Sequence, residues 1–445
     1  MRLTIIGGGG FRVPLIYQAL LEEALGVSEV VLHDIDPDRL ETIGVVLDQM
    51  TRSASRALPV SLVTDLDHAL VGADFVFSAI RVGGLPARVI DEGVARELGV
   101  LGQETVGAGG IAYGLRTIPI ALDLAERIAR IAPDAWVVNF TNPAGMVTEA
   151  MSRHLGDRVV GVCDSPLGLT TRVARALGVE SEEAYFDYAG LNHLGWLRAV
   201  YVGGRDRLPE LMDDVERLES FEEGKLFGAA WLRSLGAVPN EYLHYFYYAR
   251  EVLAAEQSAE VTRGSVLLDQ DRRFREAART DTSTALDSWH HARNQREATY
   301  MAESRAAFGG LERDSCDIQS GGYEKIALAL LRAIATDTTS TLILNVRNRA
   351  TLPTLDRDAV VEVPCVVAAN GPRPITVDPL AAHAAGLVGA VKAAERATIE
   401  AAATGSRSSA LQALAFHPLV DSVHVAGALL DAYVENHPEL AYLAL

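Results

Sequence analysis

The sequence predicts an α/β protein in which a doubly wound parallel sheet is followed by a second, mixed α/β domain. Three observations support this fold class. Short apolar runs alternate with stretches of helical spacing over the first 165 residues, and the first run ends in four consecutive glycines. Turn-rich and strand-like segments reappear only near the C-terminal third. Apolar strands alternating with helices form parallel sheets that are covered on both faces, as in Rossmann-type folds.

Six apolar runs have the length of buried strands, and helical spacing separates them, as over Leu40–Met50 and Ala121–Ile131. A complete dinucleotide-binding sheet needs about six strands, so residues 1–165 are predicted to form a Rossmann domain. The six predicted strands are Leu3–Ile6, Val30–Leu32, Val60–Val63, Phe75–Ile80, Trp136–Asn139 and Val159–Val162.

Residues 166–445 are predicted to form a mixed α/β domain that carries substrate, metal and subunit contacts. Helical spacing covers most of this part, and two strand-like runs flank a turn-rich segment. The predicted helical stretches are Leu208–Leu253, Ala285–Phe308, Tyr323–Thr336, about 381–403 and about 408–430, and the strands are Thr341–Val346 and Ala359–Val367.

Charge and cysteine content narrow the class of protein. The 445 residues include 40 Lys and Arg against 59 Asp and Glu, a net charge of −19, which argues against nucleic-acid or anionic-membrane partners. The three cysteines, Cys163, Cys316 and Cys365, lie far apart and do not suggest a disulfide framework. No apolar run approaches the roughly 20 residues of a membrane span. We therefore expect a cytoplasmic protein.

A dinucleotide site is predicted where the first strand meets the first helix. The loop consists of Gly7, Gly8, Gly9, Gly10, Phe11 and Arg12, and glycines at such a turn let backbone N–H groups approach a diphosphate. The match to G-x-G-x-x-G is incomplete, because Arg12 occupies the third glycine position. Asp34 ends the second strand, where its carboxylate would accept ribose hydroxyls and repel a 2′-phosphate, so NAD is favoured over NADP. The alternative is an ordinary glycine turn with a solvated aspartate.

Further polar clusters follow the later strands. The carboxyl ends of parallel strands meet at one edge of a sheet, so these clusters are expected to share one crevice. Taken singly, each has an ordinary structural explanation. The clusters are Arg81–Gly84 with Arg88, Gly102–Gly110, Asn139–Pro143 and Cys163–Pro166.

Two more segments carry chemically useful side chains. His193 lies among apolar neighbours in the Gly190–Trp196 segment, and spacing alone does not pair it with Cys163 as metal ligands. The Pro239–Tyr248 segment is an aromatic stripe, which is more typical of packing than of catalysis. From the residues alone, the chain is predicted to bind NAD next to a polar crevice.

The ordered set of motifs resembles glycoside hydrolase family 4, the NAD- and metal-dependent glycosidases, and within it the 6-phospho-β-glucosidases. The resemblance spans nearly the whole chain. The motifs that carry it are the glycine run ending in Pro14, Asp34, Arg81–Gly84, Gly102–Thr105, Asn142-Pro143, Cys163–Pro166, Gly190–His193, the Tyr242 segment and Val361–Cys365.

The resemblance implies a role for each matching residue. Cys163 and His193 match the family's metal ligands, usually for Mn²⁺. Tyr242 matches the catalytic base, although Tyr245 lies only three residues further on. The substrate-binding residues implied for the phosphorylated sugar are Arg88, Asn142, Glu104 and Asn192.

The resemblance leaves the anomer open. Members that act on 6-phospho-β-glucosides usually have Asn after the metal cysteine, whereas members that act on α-glucosides have a general-acid Asp. This chain has Asp164, followed by Ser165-Pro166 rather than the α-type Met-Pro. A second departure is Ser320-Gly321-Gly322, where Arg-Gly-Gly is usual. The overall motif set favours the β-anomer.

The resemblance implies that NAD⁺ oxidises C3 of the sugar, that the base then removes the C2 proton, and that the aglycone leaves by elimination. Water addition and re-reduction complete the cycle. The alternatives are an α-glucoside hydrolase, a family 4 enzyme for galactosides or glucuronides, an NAD-dependent dehydrogenase and a non-catalytic dinucleotide-binding protein. A homodimer or homotetramer is also implied.

Overall fold

The computed structural model describes residues 1–23, 25–300 and 322–444. Its strands form a single 13-stranded sheet. The strands are β1 Arg2–Ile6, β2 Glu29–His33, β3 Val60–Val63, β4 Phe75–Ser78, β5 Trp136–Asn139, β6 Val159–Gly161, β7 Ala184–Leu191, β8 Leu194–Val202, β9 Arg205–Asp206, β10 Val238–Pro239, β11 Ser340–Arg347, β12 Val360–Ala368 and β13 Gly371–Pro374.

The first six strands confirm the predicted doubly wound sheet. They lie parallel in the order β3-β2-β1-β4-β5-β6, the order of a dinucleotide-binding fold. The sheet then continues through β11, β12, β7, β8 and β10, whose pairings are antiparallel. The two halves of the chain therefore share one sheet, and the boundary between predicted domains 1–165 and 166–445 stays a prediction.

Helices cover the sheet and connect its strands. They are α1 Val13–Glu22, α2 Pro37–Ser53, α3 Leu66–Leu70, α4 Gly84–Glu97, α5 Gly107–Ile131, α6 Ala144–Leu155, α7 Ser165–Leu177, α8 Leu208–Asp213, α9 Val215–Leu218, α10 Glu222–Phe227, α11 Ala229–Leu235, α12 His244–Tyr247, α13 Ala249–Ser258, α14 Arg263–Thr280, α15 Ala285–Ala298, α16 Tyr323–Thr336, α17 Ala382–Thr404, α18 Arg407–Phe416 and α19 Val423–Asn436.

Both faces of the parallel sheet are buried. Along β4, Phe75 and Phe77 belong to the hydrophobic cluster that includes α1 and α2, whereas Val76 belongs to the cluster that includes α5. Alternate side chains of a strand point to opposite faces, so this alternation places one apolar layer on each side. In the part of the chain that the structure describes, no helix combines the length and apolar composition needed to cross a membrane.

The second half differs from the sequence prediction in several places. The single helical stretch predicted over about 408–430 is divided into α18 and α19, with residues 417–422 between them. The predicted helical stretch Leu208–Leu253 is broken into several short helices around β10. The helix predicted over Ala285–Phe308 ends at Ala298, and residues 301–308 lie outside the described part. The β7–β8 hairpin was not predicted, although two aromatic-rich runs separated by two residues are a recognisable hairpin signal.

Candidate active site

The carboxyl ends of the parallel strands open onto a cavity of about 1170 Å³. Pockets for one small molecule usually measure about 300–1,000 Å³, so this one has room for a dinucleotide and a second ligand. The predicted site residues that line it are Gly7, Gly10, Phe11, Arg12, Asp34, Arg88, Glu104, Asn142 and Tyr242. The clusters at Arg81–Gly84, Gly102–Glu104 and Asn142 therefore converge on it as expected. Other predicted site residues, namely Gly8, Gly9, Cys163, Asp164, Asn192 and His193, are not among the residues that line it.

The glycine loop fits closely against the sheet. Gly7 has φ +85°, and a Cβ there would lie 2.5 Å from the carbonyl oxygen of Ala79. A Cβ on Gly10 would lie 2.8 Å from the carbonyl oxygen of Gly7. Only glycine satisfies both the positive φ at residue 7 and these close backbone approaches. Gly7 and Gly10 both line the cavity, and α1 begins directly after the loop.

Asp34 lies at the carboxyl end of β2, beside this loop. Its carboxylate accepts hydrogen bonds from the backbone N–H of Gly9 at 2.9 Å and of Asp36 at 3.1 Å. Each carboxylate oxygen has two lone pairs, so both oxygens keep acceptor capacity. The side chain is thus fixed in place and can still receive hydroxyl donors from the cavity.

Cys163 and His193 are adjacent, although 30 residues separate them in sequence. Cys163 Sγ lies 3.5 Å from His193 Nε2. Cys163 follows β6, and His193 occupies the two-residue turn between β7 and β8 with φ +61°. The sheet order places β7 near β6 through β11 and β12, which brings the thiol and the imidazole together.

The hydrogen bonds around His193 define its tautomer. The Thr105 hydroxyl donates to Gln103 Oε1 at 2.9 Å and lies 2.9 Å from His193 Nδ1. A hydroxyl carries one proton, so Nδ1–H donates to Thr105 and Nε2 keeps its lone pair toward Cys163. Burial lowers the pKa of His193 to about 3, so the imidazole is neutral. Thr105 belongs to the predicted Gly102–Gly110 cluster, but its contact with His193 spans 88 residues and was not predicted from the sequence.

The thiol is in its protonated form in this environment. Burial, followed by the charges of Glu362 and Asp164, raises the pKa of Cys163 well above its ordinary value. A bound cation would favour the thiolate, since metal binding displaces the thiol proton. Across residues 1–23, 25–300 and 322–444, no group of three or more His, Cys, Asp or Glu side chains has the geometry of a metal site. Cys163 and His193 would therefore leave coordination positions for ligand oxygens.

Tyr242 contacts His193 and also lines the cavity. Its ring stacks on His193 with a centroid distance of 3.6 Å and an interplanar angle of 4°. Tyr300 donates a hydrogen bond of 3.2 Å to the Tyr242 hydroxyl, a contact that sequence analysis missed because the two residues are far apart in the chain. The Tyr245 ring lies 6.2 Å from the Tyr242 ring. Tyr242 is thus the tyrosine of this segment in stacking contact with the imidazole.

Two predicted substrate-binding residues, Arg88 and Glu104, belong to a partly buried group of ion pairs. Arg88 Nη1 and Arg81 Nη2 each lie 2.8 Å from Glu104 Oε2, and Arg88 Nε donates to Glu92 at 2.6 Å. Burial opposes ionisation of Glu104, but Arg88 and Arg81 outweigh it and lower its pKa to about 2. Glu104 is therefore a permanent carboxylate that orients both guanidinium groups at the cavity wall.

Asp164 and Asn192 do not line the cavity but contact residues near it. Asp164 Oδ2 lies 3.9 Å from Arg12 Nη1, so the residue after the candidate metal thiol faces the glycine loop. A Cβ on Gly322 would lie 2.5 Å from Asp164 Cβ. Ser320 and Gly321, the rest of that departure from the family pattern, lie outside the described residues.

Glu362 supports the turn that contains His193 by hydrogen bonding, a role that was not predicted from the sequence. Its buried carboxylate accepts hydrogen bonds from Asn345 Nδ2 at 2.8 Å, Tyr188 OH at 3.0 Å and Asn192 Nδ2 at 3.3 Å. Burial raises the pKa of Glu362 to about 7 despite these donors. Since Asn192 precedes His193, this network holds the turn that presents the imidazole.

We expect Glu362→Ala to weaken Mn²⁺ binding about 10- to 100-fold, because partners that orient a metal ligand contribute about this much to affinity. Glu362→Gln should recover most of the loss, since its amide oxygen can accept from Asn345 and Asn192 and its NH2 group can donate to the Tyr188 hydroxyl. Electron paramagnetic resonance of free Mn²⁺ measures the affinity. Glu183→Ala, an exposed glutamate just before β7, is the control. Equal Mn²⁺ affinity in Glu362→Ala and the wild type would contradict the role.

The fold of this chain is similar to that of solved glycosidase structures. The 6-phospho-β-glucosidase of Thermotoga maritima, with NAD and glucose 6-phosphate, is 28% identical, with a TM-score of 0.80 and 98% of each chain covered. A 6-phospho-α-glucosidase from gut microorganisms, in complex with NAD and Mn²⁺, is also 28% identical, with a TM-score of 0.80 and 98% of this chain and 97% of that chain covered.

Sequence comparison agrees with the structural likeness. A probable 6-phospho-β-glucosidase of Bacillus subtilis (strain 168) is 34% identical over 458 residues, covering 100% of this chain and 97% of the relative. The model of the family 4 glycosyl hydrolases matches residues 2–179, and the model of their C-terminal domain matches residues 188–420. The resemblance inferred from the motifs is confirmed: this chain belongs to glycosyl hydrolase family 4 and is a glycoside hydrolase.

Proposed function

We propose that this protein hydrolyses 6-phospho-β-glucosides with NAD⁺ and Mn²⁺, by oxidation at C3, deprotonation at C2, elimination of the aglycone, water addition and re-reduction. The observation that carries the proposal is the placement of Cys163 Sγ 3.5 Å from His193 Nε2, with Tyr242 stacked on the same imidazole at the cavity. The relatives that act on phosphoglucosides support the substrate class.

The glycine loop and Asp34 fit a bound dinucleotide. Gly7 and Gly10 of the loop line the cavity, and Asp34 retains acceptor capacity for ribose hydroxyls. When bound, NAD⁺ supplies a reversible hydride acceptor for C3 of the sugar. The loop and the carboxylate would orient it at the carboxyl ends of the strands.

The pair Cys163 and His193 fits a divalent metal that must also bind substrate. The imidazole is neutral with Nε2 available, and two protein ligands leave room for sugar oxygens. When bound, Mn²⁺ supplies Lewis acidity that makes a proton next to a carbonyl easier to remove. Thr105 fixes the imidazole tautomer for this role.

Tyr242 is proposed to remove the C2 proton, and the cavity-wall residues to hold the sugar. Its hydroxyl receives a hydrogen bond from Tyr300, which fixes the position of the oxygen. Arg88, oriented by Glu104, and Asn142 line the cavity and are proposed to contact the sugar and its 6-phosphate. Asn192, held by Glu362, is proposed as a further substrate contact.

The decisive experiment is a matrix of substrates, metals and cofactor. We expect aglycone release from a 6-phospho-β-glucoside only when Mn²⁺ and catalytic amounts of NAD⁺ are both present. In D₂O, the released glucose 6-phosphate should carry deuterium at C2. A product without deuterium at C2 would rule out the elimination route, and accumulation of stoichiometric NADH would indicate a simple dehydrogenase.

A 6-phospho-α-glucosidase is the second candidate, and Asp164 is the observation that favours it. In the α-type members that the sequence resembles, Asp at this position is the general acid. The structure places the Asp164 carboxylate next to Arg12 of the glycine loop. Parallel assays on α- and β-linked phosphorylated substrates distinguish the two, with galactosides and glucuronides as further members of the same panel.

We further propose that the protein is cytoplasmic and assembles as a homodimer or homotetramer. The two described cysteines, Cys163 and Cys365, are free thiols, which suits a reducing compartment. Exposed apolar side chains at Phe416, the last residue of α18, and Val423, the first residue of α19, support a subunit contact there. Light scattering of the purified protein would measure the assembly.

A further inference from the structure

Helices α14 and α15 pack directly on the glycine loop, although they come from the second half of the chain. Phe11 lies between Phe274 and Trp289, with ring centroids 5.7 and 5.9 Å away. Trp289 Nε1 donates a 2.8 Å hydrogen bond to the carbonyl oxygen of Phe11, and Arg275 Nη2 donates one of 3.1 Å to that of Gly9. The helix pair therefore holds the loop through ring contacts and hydrogen bonds to its backbone.

This helix pair brings an excess of positive charge to the loop. Asp271 lies 2.9 Å from Arg275 Nε and 3.2 Å from Arg296 Nη2, so two guanidinium groups share one carboxylate. Arg39, from α2, lies beside the same group and lines the cavity near Asp34. Arg39 also experiences the negative charges of Asp34 and Asp36, whereas Arg275 and Arg296 share the single carboxylate of Asp271.

The pKa values of these arginines reflect the crowding. Burial lowers the pKa of Arg296 to about 10, and the nearby charges of Arg12 and Arg263 add to this effect. Burial and the charge of Arg275 lower the pKa of Arg39. An anion among these side chains would relieve the repulsion between like charges.

Arg296 is oriented toward the loop and is available for a further partner. Its guanidinium carbon lies 3.5 Å from the centroid of the Phe11 ring, and the residue lines the same cavity as Gly7 and Gly10. Its buried Nε has no hydrogen-bond partner among the described residues. A planar guanidinium with unused donors is well suited to phosphate oxygens.

We propose that Arg296, presented by the α14–α15 helix pair and assisted by Arg39, binds a phosphate group of the dinucleotide at the glycine loop. The second half of the chain thus supplies part of the cofactor site, in addition to the loop backbone. This inference rests on the proposed NAD-dependent function. A phosphate can come from the dinucleotide or from the phosphorylated sugar, and Arg296 is assigned here to the dinucleotide because it contacts Phe11.

Isothermal titration of the full-length protein with NAD⁺, and separately with glucose 6-phosphate, tests the assignment. Arg296→Gln should weaken NAD⁺ binding about 10- to 100-fold, as expected for loss of a hydrogen bond to a charged group. Its affinity for glucose 6-phosphate should change less than about threefold, well below that charged-hydrogen-bond range. Arg296→Lys should recover part of the NAD⁺ affinity, and Arg273→Gln, which removes an exposed charge on α14, should bind NAD⁺ like the wild type.

Two results would overturn the assignment. Unchanged NAD⁺ affinity in Arg296→Gln, with a lower melting temperature, would show that Arg296 only supports the fold. A selective loss of glucose 6-phosphate binding would assign the phosphate to the sugar instead. Failure of the wild type to bind NAD⁺ would contradict the proposed function itself, so the two failures are distinguishable. If Arg296→Gln does not fold, Arg39→Gln, on the opposite side of the cluster, carries the same test.

Discussion

Cys163→Ser is expected to abolish Mn²⁺ activation and to lower kcat by about 1000-fold or more, because Lewis-acid stabilisation is worth several kcal/mol. The substitution replaces a sulfur that can become a thiolate with a hydroxyl that stays protonated. The serine oxygen would still lie near His193 Nε2, where Cys163 Sγ is 3.5 Å away, so the fold should be retained. Activity against added Mn²⁺, together with Mn²⁺ binding followed by electron paramagnetic resonance, measures the effect.

Cys365→Ser is the matched control for this substitution. Cys365 is also buried, but it lies in β12 and its thiol donates to the carbonyl oxygen of Val363 at 3.4 Å, which a serine hydroxyl can replace. We expect this variant to keep wild-type Mn²⁺ dependence. Removal of metal from the wild type by a chelator should reproduce the Cys163→Ser phenotype. Full activation of Cys163→Ser by Mn²⁺ would contradict the assignment of Cys163 as a metal ligand.

Tyr242→Phe is expected to lower kcat about 100- to 10,000-fold, the range for removal of a general base. The ring that stacks on His193 is retained, so NAD⁺ and Mn²⁺ affinities should stay close to those of the wild type. The hydroxyl that Tyr300 holds at 3.2 Å is lost. Exchange of the C2 hydrogen with D₂O should fall in parallel with aglycone release, because both require the same proton transfer.

Two other tyrosines of the same aromatic stripe serve as comparisons. The Tyr247 hydroxyl accepts a 3.0 Å hydrogen bond from Trp196 Nε1, and Tyr247 does not line the cavity. Tyr247→Phe should therefore keep wild-type kcat. Tyr245 does line the cavity and is the competing candidate for the base. If Tyr245→Phe loses C2 exchange while Tyr242→Phe keeps it, the assignment of the base is wrong.

The loop and the first sheet illustrate what local sequence can predict. Gly7 to Gly10 follow an apolar strand directly, and the loop they form depends on backbone conformations and contacts within that βαβ unit. Apolar runs bounded by helices predict parallel strands because both faces of such a sheet must be buried. These signals lie within short stretches of chain, so the Rossmann half could be predicted from the sequence.

The hydrogen-bond network around His193 could not be predicted from local sequence. Glu362 accepts hydrogen bonds from Tyr188 and Asn192, which lie 174 and 170 residues away in the sequence. Thr105 forms a hydrogen bond with His193, which lies 88 residues away in the sequence. Side-chain periodicity does not specify which distant strands become neighbours, and so the roles of Glu362, Thr105 and Tyr300 could not be assigned from spacing.

The amino-acid sequence by itself determined the doubly wound half, the glycine loop with Asp34, and membership of a family whose motifs recur in order along the chain. The family resemblance already implied that Cys163 and His193 lie together, and the tertiary structure places them 3.5 Å apart. Only the tertiary structure decided that Tyr242 stacks on the imidazole, and that α14 and α15 bring Arg275 and Arg296 to the loop. The physical reason is that a parallel βαβ unit is specified by local apolar patterns, whereas these contacts depend on the antiparallel strands and helices of the second half packing onto the first.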